Sequence, residues 1–92
     1  MSNNTNDIIF IGKKPLMTYV TSAIIQLATI PIITIKARGL SIGRAVDVVQ
    51  MVLNKTKPAF VLGDIKIDSE SLVSEDGKNR NVSSIEISIK KA

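Results

Sequence analysis

Gly12-Lys13-Lys14-Pro15 places two ammonium groups after an apolar run and before a proline that suits the first position of a helix. A helix start carries partial positive charge, so each lysine there is misplaced by about 0.3–1 kcal/mol unless an anion joins it. Phosphates bind readily at the free N–H groups of a helix N-terminus, and neighbouring lysines then attract instead of repel. Lys36 and Arg38 form a second cationic pair, two residues apart and therefore on one side of an extended segment. Arg44 follows within the first turns of a second predicted helix. Lys78, Asn79 and Arg80 make a third basic cluster beside a predicted turn. These spacings suit backbone-charge recognition of a polyanion, with solvated loop ends as the competing reading.

Other chemistries are excluded by what the chain lacks. Gly12-Lys13 has no second glycine upstream at Walker spacing, and Lys14-Pro15 follows where Ser or Thr is needed. There is no histidine and no cysteine, which removes the commonest nucleophile–base pairs, zinc sites and disulfides. Six of the eight carboxylates lie on the C-terminal strands or their connection, with no paired spacing for acid–base work. No catalytic, metal or cofactor site is expected. Phe10, Tyr19 and Phe60 are the only aromatics, too few to suggest stacking platforms for single-stranded bases.

The charge is uneven. Residues 8–57 carry seven basic side chains (Lys13, Lys14, Lys36, Arg38, Arg44, Lys55, Lys57) against Asp47, whereas residues 58–92 carry five basic and six acidic ones. Such asymmetry points to a polyanion partner, although charge alone weighs equally for plain solubility. The longest apolar stretch, about residues 15–35, is broken by Thr, Ser, Gln and Pro31 and does not suit a membrane span. No secretory signal is visible in Met1–Asp7, so a cytoplasmic protein is expected.

The elements that must position these residues follow from periodicity. Residues 1–7 read as a flexible tail and 8–92 as one domain. Ile8–Ile11 reads as a strand covered on both faces, or as the inner strand of a two-layer fold. Leu16, Tyr19, Val20, Ala23, Ile24 and Leu27 recur at helical spacing, and Ile30-Pro31 ends that helix before a strand at 32–37. Ser41 is the expected cap of a second helix, with Ile42, Ala45, Val46, Val49, Val52 and Leu53 as its apolar stripe. Val48 and Met51 fall outside that stripe, which implies either a partner subunit or a broad core face. From Phe60 onward alternation returns: Val61, Gly63, Ile65 and Ile67 against Leu62, Asp64, Lys66 and Asp68. Ile85, Ile87 and Ile89 alternate likewise, and Asp76-Gly77 signals a hairpin turn. A two-residue turn would set Glu75 opposite Lys78 and Ser74 opposite Asn79. The expected fold is α/β, a two-layer α+β sandwich: β-α-β-α-β-β, a mixed sheet with both helices on one face and a long C-terminal hairpin arm. Parallel strands joined by right-handed crossovers end on one sheet edge, which would bring Lys13-Lys14 and Lys36–Arg38 together. The arm's basic tip suits a minor groove, or is an ordinary solvated hairpin.

Three blocks, IFIGKKPLMTYV, IKARGLSIGRAVD and SEDGKNRNVSSIEISIKK, resemble the Alba family of archaeal chromatin proteins, in the family's order and over nearly the whole chain. The resemblance implies the same fold and a homodimer built largely through helix 2 and the long C-terminal strands. Val48, Met51, Val52 and Phe60 are the expected interface residues. It also implies binding of double-stranded DNA, and RNA, with little sequence preference, at Lys13, Lys14, Lys36, Arg38, Arg44, Lys78, Asn79 and Arg80. A chromosome-coating or compacting role in the nucleoid is implied, with an RNA-processing or RNA-stabilising subunit as the alternative. Lys13 and Lys14 fall in the block where family members undergo reversible acetylation. Two departures stand out. Leu40 occupies a position where many members carry arginine. Asn54-Lys55-Thr56-Lys57 lacks the aromatic of members that associate side by side, which fits a divergent paralogue able to form a heterodimer with a second Alba-type subunit.

Overall fold

The computed structural model describes residues 7–92, so the polar segment read as a tail lies, except for Asp7, outside the described residues. The elements are β1 (Ile8–Phe10), α1 (Leu16–Leu27), β2 (Ile32–Arg38), a 3-10 turn (Gly39–Ser41), α2 (Ile42–Thr56), β3 (Phe60–Val73) and β4 (Asn79–Lys91). Four strands form one sheet in the order β1-β2-β4-β3. β1 is parallel to β2, while β4 is antiparallel to both β2 and β3. The expected α+β architecture is the one observed. No helix is long and apolar enough to cross a membrane among the described residues.

Alternation in β2 sets the two faces. Ile33, Ile35 and Ala37 are buried, and Ile9 of β1 and Ile87 and Ile89 of β4 share their core. Tyr19, Val20, Ala23 and Leu27 of α1 close the core from above, together with Ala45, Val48, Val49 and Val52 of α2. The opposite sheet face is open. Lys36 and Arg38 project onto it, as does Phe10, the register partner of Lys36.

The chain departs from the sequence reading in several places. β1 is neither covered on both faces nor an inner strand: it lies at the sheet edge, and between the buried Ile9 and Ile11 its Phe10 is 70% exposed. Pro15 is the N-cap of α1, one position earlier than expected, and Ser41 occupies the N-cap position of α2 without a side-chain capping bond. The 3-10 turn already carries the chain into α2. The apolar stripe of α2 is rotated. Its buried residues Ala45, Val48, Val49 and Val52 have i, i+3, i+4, i+7 spacing, and Val46 is exposed. The helix packs on α1 and the sheet together, and this places Val48 inward. Val48 and Val52, expected at a subunit interface, are fully buried within the protomer and have no surface to offer; Met51 and Phe60 remain partly buried at the core's margin.

A β-bulge between Leu62 and Ile65 breaks the alternation in β3. Leu62 pairs with Ile89 and Ile65 with Ile87, so Leu62, Ile65 and Ile67 share the helix-side face, contrary to the expected split of Leu62 from the two isoleucines. Gly63 permits the close approach: a Cβ there would lie 3.1 Å from the Ser88 Cβ. At the tip Val73 pairs with Asn79, and the Ser74 N–H donates to the Lys78 carbonyl at 2.8 Å. Glu75, Asp76 and Gly77 therefore form a three-residue loop, and neither pairing expected of a two-residue turn occurs. Gly77, at φ +82°, takes the left-handed position that such loops need.

Candidate nucleic-acid interface

Backbone pairing fixes the edge where the basic segments leave the sheet. β1 runs parallel to β2, and the Ile11 N–H donates to the Lys36 carbonyl at 2.9 Å. The Gly12–Lys14 loop thus leaves beside Lys36–Arg38. The last residue of β2, Arg38, pairs with Ser84 of β4, so residues 79–83 of β4 pair with β3 alone. At about 3.3 Å per residue, that arm with its loop reaches roughly 20 Å past the body. It leaves from the same edge, and the molecule is 47 Å along its longest axis.

The loop bearing Lys13 and Lys14 is braced from both sides. The Tyr19 hydroxyl accepts hydrogen bonds from the N–H groups of Gly12 (2.9 Å) and Lys14 (3.1 Å). Arg44 donates through Nε to the Gly12 carbonyl at 3.0 Å and through a terminal nitrogen to the Lys14 carbonyl. Arg44 is therefore turned toward the loop, where it positions Lys13 and Lys14, instead of standing as a free phosphate ligand. Both lysines are exposed, and no salt bridge engages them among the described residues. Sequence reasoning missed Tyr19. It read as one more core residue at helical spacing, and nothing local shows that its hydroxyl returns to the loop.

Lys36 and Arg38 are not free. Lys36 Nζ lies 3.9 Å from a Glu86 carboxylate oxygen, and Arg38 donates to Glu70 at 3.3 Å. These pairs tie the end of β2 to the root of the arm. Exposed pairs of this kind contribute about 0–1 kcal/mol, so a phosphate can displace the carboxylates. Replacing Glu70 by glutamine (Glu70→Gln) is expected to tighten polyanion binding, by at most about 5-fold at low salt. Fluorescence anisotropy with a labelled duplex checks this, and weaker binding would show that Glu70 chiefly aims Arg38.

At the tip Lys78, Asn79 and Arg80 are exposed, as are Glu75 and Asp76. The Ser74 hydroxyl, and after it the Lys78 backbone N–H, donate to the Asp76 carboxylate and hold its pKa below the ordinary value. Asp76 thus stays charged and bound into the loop. Leu40, in the turn after Arg38, is fully exposed.

The family model described as Alba matches residues 7–69, more than half of the chain. This chain belongs to the Alba family. A DNA/RNA-binding protein Alba from Nitrosopumilus maritimus (strain SCM1) is 64% identical over 92 residues, 99% of this chain and 97% of that protein. Another, from Methanocella arvoryzae, is 42% identical over 87 residues, 94% of this chain and 91% of its own length. The solved structure of Alba from Thermoplasma volcanium superimposes with a TM-score of 0.84 at 44% identity, covering 91% of this chain and 99% of that one. The Alba fold thus accounts for the element order and the shared edge.

Proposed function

We propose that residues 8–92 act as one binding unit that pairs into a dimer and coats double-stranded DNA, and RNA, through backbone charge. One observation carries the reading: the exposed Lys13-Lys14 loop, the cationic end of β2 and the basic-tipped arm all leave the same sheet edge. The two relatives, each named a DNA/RNA-binding protein, support both ligands. With few groups placed to read base edges, contacts to phosphate position the protein without selecting sequence. Coating of this kind suits a cytoplasmic protein associated with the chromosome. Acetylation of Lys13 or Lys14 would remove a cation from the braced loop and loosen the grip.

The character of β3 supports the dimer. It is an edge strand, and on its helix-side face Leu62, Ile65 and Ile67 are exposed, Ile67 to 80%. A long apolar edge invites pairing with another chain, and a second copy of this chain is the occupant proposed here.

Salt-resolved titration of duplex DNA and duplex RNA tests the proposal. If about six to ten phosphates are neutralised per dimer, log K should fall against log salt with a slope of roughly −5 to −9 for DNA of any sequence. A slope near zero would overturn it.

A further inference from the structure

Phe10 is an aromatic ring on the open face of the sheet, 70% exposed, at the end of the strand that leads into the Lys13-Lys14 loop. Beside it lies a cavity of about 430 Å³ whose lining includes Lys36, Arg38, Glu70, Ser84 and Glu86. Resting on the nucleic-acid reading above and extending it, we propose that Phe10 and this cavity seat one unpaired base of a single-stranded RNA whose phosphates run over Lys13 and Lys14.

Three features favour a base as the occupant. The ring offers a π-face, and stacking of bases on aromatic side chains is tolerant of sequence. Lys36 Nζ already sits 5.8 Å from the ring centroid, a cation–π distance. A base arriving over the ring displaces the ammonium toward the Glu86 carboxylate, which already lies 3.9 Å from it. The cavity's charges also balance: Lys36 and Arg38 are matched by Glu86 and Glu70. A site with no net charge suits an uncharged base and leaves the phosphates to Lys13 and Lys14. Its carboxylates can accept hydrogen bonds from exocyclic amino groups, as they do from cytosine. Reach is adequate, since Lys13 is three residues beyond Phe10, at most about 10 Å along the chain. A base paired inside a duplex has no face to offer, so the site discriminates single strands from duplexes.

The test uses the full chain, a single-stranded RNA of about 10 nucleotides carrying one fluorescent purine analogue that dims on stacking, and a duplex of the same sequence. Phe10→Leu is expected to weaken single-strand binding by roughly 5- to 30-fold and to abolish the dimming. Duplex affinity should change by less than about two-fold, and Phe10→Tyr should restore both single-strand signals. Adenosine monophosphate at equal concentration should leave the wild-type signal unaltered. Unchanged single-strand binding by Phe10→Leu, with wild-type duplex binding intact, would overturn the base site and spare the proposed function. Equal loss on both ligands, a shift from dimer to monomer, or displacement by the mononucleotide would also overturn it. Failure of the wild-type chain to bind either ligand would overturn both readings.

Discussion

Replacing Lys13 and Lys14 together by alanine is expected to weaken binding to duplex DNA of every sequence by roughly 60-fold at about 0.1 M salt. Counting one phosphate for each of the dimer's two loops, at a slope of about −0.9 each, two phosphates carry about 1.8 logarithmic units between 0.1 M and 1 M, and the salt slope should become shallower by about one to two units. The size of the effect rests on how the loop is held. Tyr19 and Arg44 fix its N–H and C=O groups, so little backbone order remains to be lost when a phosphate arrives. Both side chains are exposed and engage in no salt bridge among the described residues, so folding stability should stay within about 0.5 kcal/mol of wild type. Binding across a salt series, with thermal unfolding as the control, separates lost phosphate contacts from lost fold. A loss confined to one sequence would point to base readout instead.

The parts of this interface visible in the sequence were those written in local pattern. Period-2 alternation placed β3 and β4, the break at Ile30-Pro31 placed the start of β2, helical spacing placed α1 and α2, and Asp76-Gly77 placed the hairpin. The crossover rule gave one edge for both basic pairs on condition that β1 and β2 are neighbours, and the structure pairs them in parallel. What escaped was set by tertiary packing. Helix α2 packs on α1 and the sheet at once, so Val48 faces inward and Val46 outward; a stripe judged by counting alone admits either rotation. The Leu62/Ile65 bulge shifts register by one and reverses which side chains share a face. Arg44 read as a free cation because sequence does not show the Gly12 and Lys14 carbonyls that attract it. Phe10 read as covered because an apolar neighbourhood looks alike whether one face or both are buried.

Ile65→Lys with Ile67→Lys should convert the proposed dimer to a monomer of about 10.0 kDa, measured by light scattering or native mass spectrometry. Both side chains stand on the helix-side face of the outermost strand, 54% and 80% exposed, so most of their apolar surface is still available for burial. Fully burying an isoleucine is worth about 1.5–3 kcal/mol, and in an isologous dimer each position counts twice. Placing four ammonium groups against one another there replaces that gain with repulsion. Because neither residue belongs to the buried core, the monomer should keep its secondary structure. The consequence for binding separates two accounts. If affinity depended only on total charge, two added lysines per chain would tighten DNA binding and steepen the salt slope. If affinity needs two loops and two arms on one duplex, the monomer presents half the phosphate contacts. Its salt slope should then fall to about half the wild-type value, despite the added positive charge. A variant that stays dimeric would place the subunit contact elsewhere on the chain, and one that is monomeric yet keeps the full slope would make a single protomer the binding unit.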